Sequence, residues 1–302
     1  MPIFDLHCDS LTKAYDNNYN LISSNKLQVN FNKIKKANYF CQCFAIFIND
    51  NNSAPLDYFL KVSTYFFDNV KKTSGINLVS RNKFFKSDRT NVVLTVENSN
   101  VLENNLDNVK ILKDNNVKMM SLCWNNENSV GYPSKYEFLG LKKFGYELVE
   151  VLNESNIIID VSHLSKKGVI DTVRKSKKPI VASHSNSRVI CNNARNLDDE
   201  SIKLIADSGG VIGLNVYPPF LYEICEDGYL SLLKHVKHII KVGGIECLAI
   251  GSDFDGIDKF CNINSPKKLM AIDKFFKTSN LTSSIIDKIL YKNALRVFKE
   301  YS

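Results

Sequence analysis

Residues 91–97 read NVVLTVE, an apolar and β-branched run that ends in a single acid. A half-buried antiparallel strand alternates apolar and polar side chains, and this run does not. A strand that is apolar on both faces is covered on both, which is the habit of parallel sheets flanked by helices. Glu97 stands where the run leaves the core. A carboxylate buried there is costly unless it is paired or holds a metal. The stretch therefore predicts both an architecture and a partner.

Seven further segments share this character: IFDLH (3–7), CQCFAIFI (41–48), VKMMSLCW (117–124), NIIIDVSH (156–163), KPIVASHS (178–185), GGVIGLNV (209–216) and ECLAIGSDFDG (246–256). Helical patterns such as LDYFLKVSTYFFDNVKKT, LGLKKFGYELVEVLNES and YLSLLKHVKHIIKVG lie between them. The last helical segment, TSSIIDKILYKNALRVFKEY, opens on a Thr/Ser cap signal. No linker or compositional break divides residues 1–302. Alternating strand and helix in this way predicts one α/β domain, a (β/α)8 TIM barrel. An open doubly wound sheet competes, but no G-x-G-x-x-G follows the first strand, which weakens its dinucleotide-binding form.

A barrel carries its chemistry at the C-terminal ends of its strands, and the polar residues gather there. His7 and Asp9 end the first strand, Glu97 the third, His163 the fifth, His184 the sixth and Asp253 the eighth. In a strand, residues two apart share a face. His7 and Asp9 thus point the same way, with Asp5 beside them and Cys8 opposite. The remaining two of the five histidines, His235 and His238, lie in an amphipathic helical stretch and read as packing or capping residues.

The bulk composition constrains less. No run of about 18 apolar residues is present, so no membrane-spanning helix is expected. The N-terminus lacks a basic region followed by a long apolar run, so no signal peptide is expected. The eight cysteines have no framework spacing and read as reduced thiols of a cytoplasmic protein. Cys41 and Cys43 share a strand face, but no second pair follows them to complete a thiolate metal site. The net charge of +7 reads as a solvated lysine-rich surface, not a nucleic-acid site.

Five candidate ligands, His7, Asp9, Glu97, His163 and His184, are too many for one open catalytic zinc, which takes three protein ligands and a water. Two ions fit if Glu97 bridges them. One takes His7, Asp9 and Glu97; the other takes Glu97, His163 and His184. Imidazole with carboxylate favours zinc, with manganese or cobalt as alternatives. Ions about 3.5–4 Å apart share a hydroxide and clamp both ends of a hydrolytic transition state.

In unbroken order, DLHCD, the strand-end Glu97, IIDVSHLS, VASHSNSR, NNARNLDDE, GLNVYPPF, IGSDFDG and NALRVF resemble the membrane (renal) dipeptidase family of zinc peptidases, from about residue 3 to 300. The resemblance implies a barrel of metallo-dependent hydrolase type, a dipeptide substrate and the ligand set above. It implies that Asp253 holds the substrate's amino group and handles protons, and that Arg195 binds the substrate's C-terminal carboxylate, with Arg188 as the rival choice. Dimerisation is common in the family, although no segment here carries it. Two positions depart from the pattern. Trp124 stands where the best-known members have a substrate-contacting histidine; its indole donates one hydrogen bond and carries no charge. Asn98 stands where glycine follows the bridging acid.

The reading is thus a cytoplasmic two-zinc dipeptidase. Glu97 and Asp253 are at the chemistry, Arg195 holds the carboxylate, and Trp124 and Tyr217 line the pocket. Asp255 reads as a loop cap. Two alternatives stand beside it. One is a related barrel enzyme, a deoxyribonuclease or cyclic-amide hydrolase; such enzymes typically begin with His-x-His, whereas this chain has His7-Cys8-Asp9. The other is a catalytically decayed binding protein.

Overall fold

The computed structural model describes residues 2–80, 84–224 and 227–301. Its strands are β1 (Phe4–Asp5), β2 (Cys41–Phe47), β3 (Ile76–Leu78), β4 (Thr90–Glu97), β5 (Val117–Ser121), β6 (Ile158–Asp160), β7 (Val181–Ala182), β8 (Val211–Leu214) and β9 (Leu248–Ile250). All pair in parallel, in the order β2-β1-β9-β8-β7-β6-β5-β4-β3, and β2 also pairs β4 from Cys41↔Asn91 to Phe47↔Glu97. That pairing closes eight strands into the expected barrel, with helices outside it. Strand β3 stands outside the ring, pairing only with Thr90–Val92 at the start of β4. From Leu94 onward β5 pairs along the same edge, with a register shift between Leu94 and Thr95. Ile76–Leu78 is too short to carry a periodicity, and the sequence does not mark it.

Several strands are shorter than the apolar runs that predict them, and the site explains why. Strand β6 stops at Asp160, whose Oδ1 accepts hydrogen bonds from the amides of Ser162 and Ser183, both at 2.9 Å. Strand β1 stops at Asp5, whose Oδ1 accepts from the amides of Ser252 at 2.8 Å and His7 at 3.3 Å. Buried carboxylates thus take over as acceptors where the ladder ends, freeing the next residues to turn into the barrel mouth.

The barrel interior is apolar, with Leu6, Cys41, Cys43, Val93 and Met119 in one buried cluster. Cys41 and Cys43 are core thiols; among the described residues no metal-capable group includes them. The seven described cysteines are free, and Cys225 lies outside the described residues. At the N-terminal end Phe4 packs on Phe298, Phe85 and Phe40 at centroid distances of 5.0, 5.6 and 6.2 Å. The terminal segment begins at the Thr282 cap, whose hydroxyl accepts from the Ile285 amide, and includes a π-helical turn at Lys288–Lys292. No helix among the described residues is long and apolar enough to cross a membrane. Phe4→Ala is expected to lower unfolding stability by about 3–5 kcal/mol, whereas Phe138→Ala, at a side chain 86% exposed, should shift it by under about 0.5 kcal/mol. Denaturant titration of both variants checks this.

Candidate metal centre

His7, Asp9, Glu97, His163, His184 and Asp253 meet at the C-terminal mouth, and all but Asp253 are buried. Glu97 lies between the others. Its Oε2 is 3.7 Å from His7 Nε2, while its Oε1 is 3.0 Å from His163 Nε2 and 3.7 Å from His184 Nε2. His7 Nε2 is also 3.2 Å from Asp9 Oδ2 and 3.8 Å from Asp253 Oδ1. The ligand atoms of His7, Glu97 and His184 all lie within 4.8 Å of one another, as do those of His7, Asp9 and Asp253.

The hydrogen bonds around these imidazoles orient their lone pairs. His184 Nδ1 is 2.8 Å from Ser183 Oγ, whose own proton goes to Asp160 Oδ2. That hydroxyl therefore accepts from Nδ1–H, and Nε2 is left bare. His163 Nδ1 is 2.8 Å from Asn125 Oδ1 and donates to it, which bares its Nε2 as well. The two Nε2 atoms face each other at 2.9 Å. Two lone pairs at that distance repel, and a cation between them and Glu97 removes the conflict. This is the outer-shell arrangement of metal-ligating histidines. Asp9 Oδ1, buried and without a hydrogen-bond partner, is a further donor awaiting a cation. The residues present therefore fit a metal.

The charges and the burial around these groups agree. Burial, then the positive charges of Arg195 and His7, holds His163 well below the usual histidine range; burial and His7 do the same to His184. Burial opposes a charge on His7 too, but the carboxylates of Asp9, Glu97 and Asp253 lift it to about 10. A field that keeps a proton on an enclosed imidazole also attracts a metal ion. Burial first, then Asp9, pushes Glu97 well above the carboxylate range. Burial, assisted by Asp9, pushes Asp253 up to about 7, against His7, Asn215 and Arg195.

Backbone strain collects here. Of the eleven non-glycine residues with positive φ among those described, seven are asparagine; three of the other four are His163, Asp253 and Asp255, at φ +69°, +62° and +68°. Such conformations cost on the order of 1–3 kcal/mol each and persist only where the surroundings hold them. Asp255 accepts from Lys13 Nζ at 2.9 Å and from the amides of Gln28 and Val29, so it fastens the loop before Asn30 to the mouth, a loop cap as its sequence position suggests. Gly256 is required by close approach, because a Cβ there would lie 2.1 Å from Asp9 Oδ2.

Asp253 Oδ2 accepts from Asn215 Nδ2 at 2.9 Å, leaving Oδ1 toward His7. Arg195 donates to the His184 carbonyl at 3.4 Å and stands 5.4 Å over the Phe220 ring, while its buried Nε has no partner. Arg188 is committed elsewhere, to Glu137 and to the carbonyls of Asn196 and Ala194. Trp124 and Tyr217 line the same cavity of about 470 Å³. The Tyr217 hydroxyl donates to Asp258 at 2.6 Å. His235 accepts from the Ser187 amide, and His238 is 2.7 Å from Asp199; both are structural. Sequence reasoning missed Asp160, Asn125 and Asn215, and placed Asp5 beside His7 and Asp9 without giving it a role. An acid inside an otherwise apolar run, two or three residues before a strand-end histidine, was the available signal for Asp5 and Asp160.

Asn98 adopts φ +85° and ψ 120°. Its side chain donates to Ile48 O at 2.9 Å and Asp50 Oδ1 at 2.7 Å, and Asp50 Oδ2 accepts from Asn126 at 2.8 Å. The loops after β2, β4 and β5 are thereby tied beside Glu97.

A closed parallel barrel with imidazoles and carboxylates gathered at its C-terminal mouth is the frame of a metal-dependent hydrolase. The chain matches the family model described as membrane dipeptidase (peptidase family M19) over residues 1–302, and it belongs to that family of hydrolases. An uncharacterized protein from the pqqA 5′ region of Klebsiella pneumoniae is 31% identical over 194 residues, covering 61% of this chain and 72% of that protein. An uncharacterized dipeptidase of Schizosaccharomyces pombe is 31% identical over 170 residues, covering 53% of this chain and only 40% of its own length. Among solved structures, a Rhodobacter sphaeroides metallo peptidase liganded with a phosphinate mimic of the dipeptide L-Ala-D-Ala superposes with TM-score 0.90 at 21% identity, covering 100% of this chain and 99% of that one. The probable dipeptidase PvdM of Pseudomonas aeruginosa gives 0.90 at 19% identity, covering 100% and 95%. At these identities the two structures establish the shared fold.

The Asn98 geometry yields a stability test. Asn98→Ala keeps the strained backbone and loses the ties, whereas Asn98→Gly loses the ties and the strain. The alanine variant is expected to be the less stable of the two by about 1–3 kcal/mol, as measured by chemical denaturation.

Proposed function

We propose that residues 1–302 form one catalytic unit, a dipeptidase that works with two divalent cations, zinc before manganese or cobalt. The observation that carries this reading is the split of the Glu97 carboxylate, one oxygen toward His7 and the other toward His163 and His184. His7, Asp9 and Glu97 would hold one ion, and Glu97, His163 and His184 the other. Such a pair, when bound, would supply an acidified water and a Lewis acid for the scissile carbonyl.

The chain's own groups do the rest. Asn215 fixes Asp253 so that Oδ1 faces the centre; there it holds the substrate's amino group and passes a proton to the leaving amine. Arg195 offers a partly desolvated guanidinium, its Nε without a partner, to the C-terminal carboxylate. Gripping a carboxylate one residue from the attacked carbonyl excludes longer chains. Trp124 and Tyr217 wall the cavity. The dipeptide mimic bound to the Rhodobacter sphaeroides protein supports this substrate class. A cytoplasmic setting, in which the described cysteines stay thiols, belongs to the same reading.

Metal analysis and a dipeptide panel test it. The wild type is expected to bind two zinc ions per chain and to lose hydrolysis with a chelator. Glu97→Ala should lose both ions. Arg195→Ala should keep both ions and raise KM at least about tenfold, the effect of losing roughly 1.4 kcal/mol of binding. An unchanged KM would place the carboxylate anchor elsewhere. Gly256→Ala should weaken zinc binding about 10–100-fold by displacing Asp9, as read by competition with a chelating dye.

A further inference from the structure

Most charges facing the cavity are already committed. Lys13 is paired with Asp255, which also accepts from Ser10 and two backbone amides. Asp258 accepts from Tyr217. Asp9 and Glu97 face the imidazoles. Among the described lining residues this leaves Arg195 and Asp253 for a ligand's own charges, one of each sign. A dipeptide's two termini consume both, and a charged side chain would find no counter-ion.

The walls are aromatic, in two pairs. Tyr217 and Phe220 follow β8 and meet at 4.8 Å, with Phe220 under the Arg195 guanidinium. Phe47 ends β2 and Trp124 lies just beyond β5; their rings also meet at 4.8 Å, edge to face, and Trp124 reaches to 6.4 Å from the His163 ring. Strands β2 and β5 both pair with β4, which stands opposite β8 in the eight-stranded ring. Arg195 follows β7 and Asp253 follows β9, the two neighbours of β8. A dipeptide pinned at both ends on the β8 side therefore presents a side chain across the centre to the Phe47–Trp124 corner.

Resting on the dipeptidase reading, we propose that Phe47 and Trp124 form a side-chain subsite, and that this cavity selects dipeptides carrying a sizeable uncharged apolar side chain over glycine and over charged side chains. The Phe47 and Trp124 rings carry no charge to pair with an acid or an amine, and apolar area buried against them strengthens binding with each methylene.

The chain supplies its own probe, because Trp124 is its sole tryptophan. In the zinc-loaded protein, kcat/KM is measured for Gly-Gly, Leu-Gly, Gly-Leu, Asp-Gly, Gly-Asp and Lys-Gly. Separately, tryptophan emission is titrated with reduced-amide analogues of Leu-Gly, Gly-Leu and Gly-Gly, which cannot be hydrolysed. Leucine at one position is expected to raise kcat/KM at least about tenfold over Gly-Gly, with the charged substrates below the leucine ones. The matching leucine analogue should shift the emission at about tenfold lower concentration than the glycine analogue. Phe47→Ala should shrink that emission preference, and Trp124→Ala the kinetic one. Equal rates across the panel, or leucine and glycine analogues that titrate alike, overturn the subsite. Should no dipeptide be hydrolysed while the leucine analogue still titrates selectively, the dipeptidase reading falls and the subsite stands.

Discussion

The structure depends on a carboxylate placed where carboxylates are most expensive. Glu97 ends a strand whose other residues are buried on both faces, and among the described residues its ion-pair distances are to imidazoles, not to a lysine or arginine. What surrounds it are ring nitrogens already relieved of their protons on the facing side. Asn125 and the Ser183–Asp160 pair see to that, by accepting hydrogen bonds from the Nδ1–H groups of His163 and His184, which holds each proton on Nδ1 and leaves Nε2 bare. The result is a cage of electron pairs with acids on one flank, which is stable as protein only if positive charge enters it. The barrel contributes rigidity: β4 is hydrogen-bonded along both edges, to β2 on one side and to β3 and β5 on the other.

Much of this was legible in the amino-acid order. Uninterrupted apolar runs that terminate in His, Asp or Glu are a strong pattern, because few physical situations tolerate a polar group at the end of a fully buried strand. The ring of eight strands and the six residues at its mouth follow from it. The outer shell was not legible, because each of its members acts on a residue of the neighbouring strand or loop. Asp160 holds the amide of Ser183, one strand on, and Asp5 holds Ser252, close to the far end of the chain. Local sequence gives an acid in a strand but not the neighbour it will meet. Arg188 and Arg195 show the same limit. Both lie in one loop, and only the fold shows that the first is spent on Glu137 and backbone carbonyls while the second keeps an unpaired Nε. Strand lengths misled for a related reason, since the residues after Asp160 and Ala182 leave the ladder to serve the site.

Trp124 and Asn98, the two departures from the family pattern, have different structural weights. Trp124 keeps its place at the cavity wall and packs on Phe47, so the change alters the lining of the mouth and leaves the proposed ligand set untouched. Asn98 takes the positive φ that a glycine would take and adds side-chain bonds that a glycine cannot make.

Asn98 is one of seven asparagines with positive φ among the described residues. Each accepts some native strain, yet each also restricts the denatured chain more than glycine would, so less disorder is surrendered when the loop forms. A protein that turns its corners this way keeps stiff connections around its barrel without enlarging its core. Its loops then gain order from a narrower denatured ensemble as well as from the contacts visible once it has folded.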